Sequence, residues 1–64
     1  MKFHITKFNN DCSIKYSKKF ESPNQETAEF FTLLESRVIE KGESVRLYKE
    51  LDEFNSVMII EIER

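Results

Sequence analysis

The sequence predicts an α+β domain, two β-hairpins joined by one helix in the order ββαββ. Three observations predict it. Apolar and polar residues alternate with period two in residues 1–20 and again in residues 45–63. Between them, apolar residues recur at helical spacing. The segments "NNDC" (Asn9 to Cys12) and "DEFN" (Asp52 to Asn55) place turn chemistry in the middle of each alternating stretch, because Asn and Asp bond their own backbone and tolerate the left-handed region. With 64 residues the chain makes one domain, residues 1–64, with a small core.

The first strand covers residues 1–8. Met1, Phe3 and Ile5 share one side, and Lys2, His4 and Thr6 the other. After the "NNDC" loop the alternation resumes with opposite parity, so Ile14, Tyr16 and Phe20 oppose Ser13, Lys15, Ser17 and Lys19. A four-residue loop pairs residue 8 with 13 and residue 5 with 16. Both apolar sets then fall on one side, and loop length agrees with parity.

The helix is expected over residues 22–41. Ser22 caps it, Pro23 suits the first helical position, and Gln25 completes a Ser-x-x-Gln capping box. Lys41 and Gly42 close it. On a helical wheel Phe30, Phe31, Leu34 and Val38 form the stripe that should face the sheet. Leu33 lies at its margin and Ile39 almost opposite.

In the third strand Val45, Leu47 and Leu51 alternate with Arg46, Tyr48 and Glu50. The fourth strand is "SVMIIEIE". Pairing residue 47 with 60 aligns the core parities, sets Arg46 opposite Glu61 and sets Tyr48 opposite Ile59. The fourth strand is the most apolar, which suits a central place. Strands two and three carry Lys15, Lys18, Lys19, Arg46 and Lys49, charges that blunt exposed edges. The expected sheet is therefore mixed, with order 2-1-4-3 and strands one and four parallel at its centre. The expected core is Phe3, Ile5, Ile14, Tyr16, Phe30, Phe31, Leu34, Val38, Val45, Leu47, Met58, Ile60 and Ile62.

This element order resembles the β-grasp fold. In order and length it is closer still to the small ββαββ immunoglobulin-binding domains of bacterial surface proteins. The resemblance covers the whole chain but carries no sequence motif. No export signal, tandem repeat or wall anchor accompanies it, so it implies a fold and no binding residues.

Composition narrows the function classes. Net charge is −2. Residues 1–20 hold five lysines against Asp11, while residues 21–64 hold eleven acids against five bases. Assembly of unlike ends or pairing within the chain could use that asymmetry. Cys12 is the only cysteine and His4 the only histidine, so no disulfide and no zinc-finger ligand set is expected, and no cofactor either. A lone cysteine fits a reducing cytoplasm. Met1 to Ile5 already alternate and leave no signal-peptide core, and no stretch is apolar enough to span a membrane. Gly42 is the only glycine, which rules out a glycine-rich phosphate loop. His4 has no nucleophile of matching parity beside it, and no cleft is apparent for the acids, so the chain is not expected to be an enzyme. The usage, rich in Lys, Glu, Ile, Asn and Phe, resembles that of an AT-rich bacterial or phage coding sequence.

One helix covers one face of the sheet and leaves the other open. "VMIIEIER" breaks its alternation there: if Met58 and Ile60 face the core, Val57 and Ile59 face outward. Tyr48, Val57 and Ile59, with His4 nearby, are then expected to form a partner-binding surface. Ile39 on the far side of the helix marks an alternative surface. The expected function is a small cytoplasmic protein–protein interaction module, either a phage-type accessory or inhibitor protein or a homodimer. The competing expectation is nucleic-acid binding on the open sheet, with Phe8, His4 and Tyr48 stacking on bases and Lys2, Lys15, Lys19 and Arg46 meeting phosphates. The acidic balance works against it.

Overall fold

A computed structural model of the chain describes residues 1–64. It has the expected element order: β1 (Lys2–Phe8), β2 (Ile14–Glu21), α1 (Gln25–Ser36), β3 (Ser44–Glu50) and β4 (Ser56–Glu63). The four strands form one antiparallel sheet with α1 packed on one side.

The strand order is β2-β1-β3-β4, which corrects the expected 2-1-4-3. β3 is the central neighbour of β1, with Ile5 paired to Leu47 and His4 to Tyr48. The expected central parallel pair of strands one and four is absent. β2 and β3 both run antiparallel to β1, so they are parallel to each other, and α1 carries the chain between them past β1. β4 is an edge strand despite its apolar run.

A β-bulge accounts for that run. Residues 44–47 of β3 pair with Glu63, Glu61 and their neighbours in the expected register, Leu47 opposite Ile60. The register then slips, and Tyr48 pairs with Met58 and Lys49 with Val57. Ile59 is the extra residue. At a bulge two residues oppose one, so the alternation reverses. Met58 therefore shares the Tyr48 side, and Val57 shares the Lys49 side. Ile59 and Ile60 both pack against the cluster of Phe3, Ala28 and Leu47.

A second bulge sits at the end of the first hairpin. Lys7 pairs with Tyr16, but Phe8 pairs with Ile14, leaving Lys15 extra. Ile14 consequently crosses to the Phe8 side and is 64 % exposed, against its expected core position. The loop itself matches its chemistry. The Asn9 amide donates to the Ser13 carbonyl, Asp11 Oδ1 accepts from the Ser13 amide and hydroxyl, and Cys12 adopts φ 71°.

The helix starts later and ends sooner than expected. The Ser22 amide continues the sheet by donating to the Met1 carbonyl, so Ser22 does not act as the cap. Its hydroxyl donates to the Asn24 carbonyl, and Asn24 caps instead, its Oδ1 accepting from the Thr27 amide at 2.8 Å. The helix gives out at Arg37, before the β-branched pair Val38–Ile39. The segment after it turns tightly. The Glu40 amide donates to Glu43 Oε1, and Gly42 at φ +89° donates its amide to the Arg64 carbonyl. A Cβ on Gly42 would meet the Asn10 Cβ at 3.0 Å. Gly42→Ala is therefore expected to cost more than about 1 kcal/mol, read as a lower urea midpoint, since the backbone there already disfavours a side chain.

Leaving the helical path at Arg37 also moves Ile39. It is 4 % exposed and packs with Ile5 and Val45, so it belongs to the core and not to an outer surface.

The helix is turned relative to the expected stripe. Ala28 and Thr32 are buried against the sheet, with Phe31 and Glu35 half-buried beside them. Of the expected stripe only Phe31 packs inward, edge-on to Phe20 at 5.0 Å. Phe30, Leu34 and Val38 are exposed, as are Tyr16 and Met58. Two causes fix this rotation. Small Ala28 and Thr32 let the helix approach a sheet whose own side chains are bulky, and the Thr32 hydroxyl is satisfied by the Ala28 carbonyl at 2.9 Å. Lys7 is also buried on the helix side of β1, and Glu35 supplies its carboxylate at 2.8 Å.

Candidate functional site

Two surfaces hold the residues to which function could be assigned. The first is the open face of the sheet. There His4 and Tyr48, paired across β1 and β3, stack with ring centroids 4.7 Å apart. Arg46 lies one pleat along β3. Its Nη1 donates to the Tyr48 hydroxyl at 3.4 Å, its Nε pairs with Glu61, and its guanidinium sits 4.6 Å over the Phe8 ring. Hydrogen bonding to Tyr48 and then Glu61 raises the Arg46 pKa further, so it is a fixed charge. Thr6 and Ser17 share a hydrogen bond between their hydroxyls.

At one end of this face His4 Nδ1 is buried without a hydrogen-bond partner, 3.9 Å from Glu50 Oε2. Lys19 Nζ approaches the other Glu50 oxygen at 3.7 Å. Lys2, Lys19, Glu50, Asp52 and Glu53 line a cleft beside them. Cys12 lies in the loop beyond the far end of β1, away from His4. No three of the His, Cys, Asp and Glu side chains converge as metal ligands.

The bulge removes the expected trio from this face. Tyr48 is there, but Ile59 packs against the core, and Val57 follows Lys49 to the opposite side. The side chain that joins Tyr48 is Met58, half exposed.

The residues proposed to meet nucleic acid are engaged within the chain. Lys15 donates to Glu43 at 3.1 Å, Lys19 pairs with Glu50, and Arg46 with Glu61. Glu43 accepts the Glu40 amide as well as Lys15, and these hold its pKa below the usual carboxylate range. The guanidinium of Arg46 covers one face of Phe8, and His4 and Tyr48 cover one another. Of the basic residues assigned to this role, only Lys2 makes no ion pair.

The second surface is the outer face of α1. Phe30 is 60 % exposed, Leu33 51 %, Leu34 44 % and, just past the helix, Val38 70 %. Phe30, Leu33 and Leu34 are the largest apolar side chains on the helix apart from Phe31, and they point away from the sheet. No family model, curated protein or solved structure matches the chain. The surface must be read from its own chemistry.

Its signal was present in the sequence. The spacing of Phe30, Leu33 and Leu34 marks a true apolar stripe, but the helix has two apolar sides. Ala28 and Thr32, too small to register in a hydropathy pattern, occupy the side that packs. A 12-residue helix is not long enough to cross a membrane, and no helix of the chain is both long and apolar enough to do so.

Proposed function

We propose that this protein is a small cytoplasmic protein–protein interaction module whose binding surface is the outer face of α1. The observation that carries the reading is the outward grouping of Phe30, Leu33, Leu34 and Val38. Single exposed apolar residues are ordinary on protein surfaces. Three on one side of the only helix, with Val38 just past its end, are the kind of grouped exposed apolar residues that mark an interface. A helix with apolar residues at i, i+3 and i+4 is a common recognition element, laid against a groove or another helix. Phenylalanine at the middle supplies the large, stiff anchor such contacts favour. The exposed, unpaired Cys12 fits a reducing compartment.

The open sheet face supports binding less well. Its aromatic and basic groups already satisfy one another, so a nucleic acid would have to displace Glu43, Glu50 and Glu61 from their lysine and arginine partners.

The test uses Phe30→Asp. The parent protein is expected to form a complex, with itself or with a protein that co-purifies from its native host, and Phe30→Asp to weaken it at least 10-fold while leaving the circular dichroism spectrum unchanged. If Phe30→Asp leaves the mass in solution and the co-purifying proteins as they are in the parent, this surface is not the interface.

A further inference from the structure

We propose that the occupant of this surface is a second copy of the chain, packed with its α1 antiparallel to the first about a two-fold axis. The inference rests on the reading of the outer helix face as an interaction surface and names what covers it.

Charge is placed along that face to suit such a pairing. Glu26, Phe30, Leu33 and Arg37 are spaced by four, three and four residues. That spacing returns each side chain to one line along a helix, the line that forms a helix–helix seam. Arg37 keeps helical backbone angles as the C-cap, so the line runs unbroken to it. The seam is therefore acid, aromatic, aliphatic, base, spanning about 16 Å. All four residues are exposed.

This order is complementary to its own reverse. In an antiparallel pair centred between residues 31 and 32, Phe30 of each copy meets Leu33 of the other. Glu26 of each then meets Arg37 of the other. A two-fold contact repeats every interaction, so the seam gains two apolar pairs at its centre and two ion pairs at its ends. A parallel pair would instead stack Glu26 on Glu26 and Arg37 on Arg37, and like charges disfavour it. Neither Glu26 nor Arg37 takes part in the ion pairs within the chain, so both remain free for such a partner. Leu34 lies on one flank of the seam. In an antiparallel pair each flank meets the same flank of its partner, which adds Leu34 to the apolar centre. With the sheet behind each helix, the two copies stack as sheet, helix, helix, sheet.

Charge reversal tests the proposal. Sedimentation velocity over a wide concentration range would be run on the parent, on Glu26→Arg, on Arg37→Glu and on the double variant. The parent is expected to be a dimer with a dissociation constant on the order of micromolar, as a short helical seam implies. Each single reversal turns two attractive pairs into two repulsive ones and should raise that constant about 10-fold. The double reversal restores both pairs and should return it to within about twofold of the parent. Both substitutions oppose the helix dipole, and the double variant carries both. Recovery therefore cannot come from a better helix.

Equal weakening in the double variant would overturn the antiparallel pairing, and so would single variants that dimerise as the parent does. A parent that stays monomeric, while Phe30→Asp still strips a co-purifying protein, would overturn the dimer and leave the interaction-module reading standing. A monomeric parent from which Phe30→Asp strips nothing would overturn both.

Discussion

Replacing Phe3 by alanine is expected to remove about half of the protein's stability, roughly 3–5 kcal/mol. Phe3 is fully buried, its ring stacks on Phe20 at 5.9 Å, and it joins the two sides of the core: Leu47 in the sheet and Ala28 in the helix. Truncating a buried phenylalanine costs roughly 3–5 kcal/mol, the lost transfer energy plus the cavity. A domain of this size has a total stability of only about 3–10 kcal/mol. On the helix side the space is lined by small Ala28, which cannot fill it. Urea unfolding followed by circular dichroism reads the effect. A midpoint close to the parent's would mean that Phe3 does not sit between sheet and helix.

The second large effect is expected at Glu35. Its carboxylate is 2.8 Å from Lys7 Nζ, and Lys7 is only 7 % exposed. Glu35→Ala leaves that ammonium beneath the helix without its ion-pair partner, with Tyr16 (ring centroid 5.1 Å away) its nearest remaining neighbour in charge contact. Breaking a fully buried pair from one side costs roughly 3–5 kcal/mol. Glu35 is partly exposed and lysine can extend toward water, so about 2 kcal/mol is the expectation here. Removing both charges with Lys7→Met and Glu35→Leu should recover most of that loss, because apolar replacements fill the same space without stranding a charge.

The same pair sets an alkaline limit. Burial alone would lower the Lys7 pKa, but the hydrogen bond to Glu35 and the nearby Tyr16 outweigh it, and the value lies above the ordinary 10.5. A pKa raised by folding means that the folded protein holds the proton more tightly. The stabilisation is complete below the ordinary value and disappears as pH rises through the raised one. The parent should therefore lose its advantage over Glu35→Gln above about pH 10.5, where lysine begins to deprotonate. A stability gap that stays constant to higher pH would place the pair outside the folding equilibrium.

The features readable in the sequence were those that depend on near neighbours. The two hairpins follow from period two, and their loops from Asp11 and Asp52, whose carboxylates accept backbone amides two or three residues on, with Asn9 and Asn55 bonding the side chains of Ser13 and Asp52. What depends on distant partners was misread. The apolar run of β4 has two physical explanations, a central strand or a bulge, and only pairing with β3 distinguishes them. Ile59 went to the wrong face, and β4 to the wrong place, for that one reason. A helical wheel misplaces Ile39 because it extends beyond Arg37, where the chain is no longer helical. The turn of α1 depends on Lys7, an apparently ordinary strand lysine that is buried because Glu35, 28 residues later, receives it. Of the interface, the helical wheel puts Leu33 at the margin of the stripe. A hydropathy pattern puts Phe30, Leu34 and Val38 in the core because it records that a helix has an apolar side, not which side packs.

The central claim is that α1 presents Phe30 and Leu33 to the outside while Ala28 and Thr32 face the sheet. The most direct measurement is the unfolding free energy of Phe30→Asp against the parent, taken at a concentration low enough to keep both monomeric. An outward Phe30 predicts a change within about 0.5 kcal/mol, as for other exposed positions. A loss of roughly 3 kcal/mol or more is what a charge in the core would produce, and it would mean that Phe30 packs against the sheet and that the surface described for α1 does not exist.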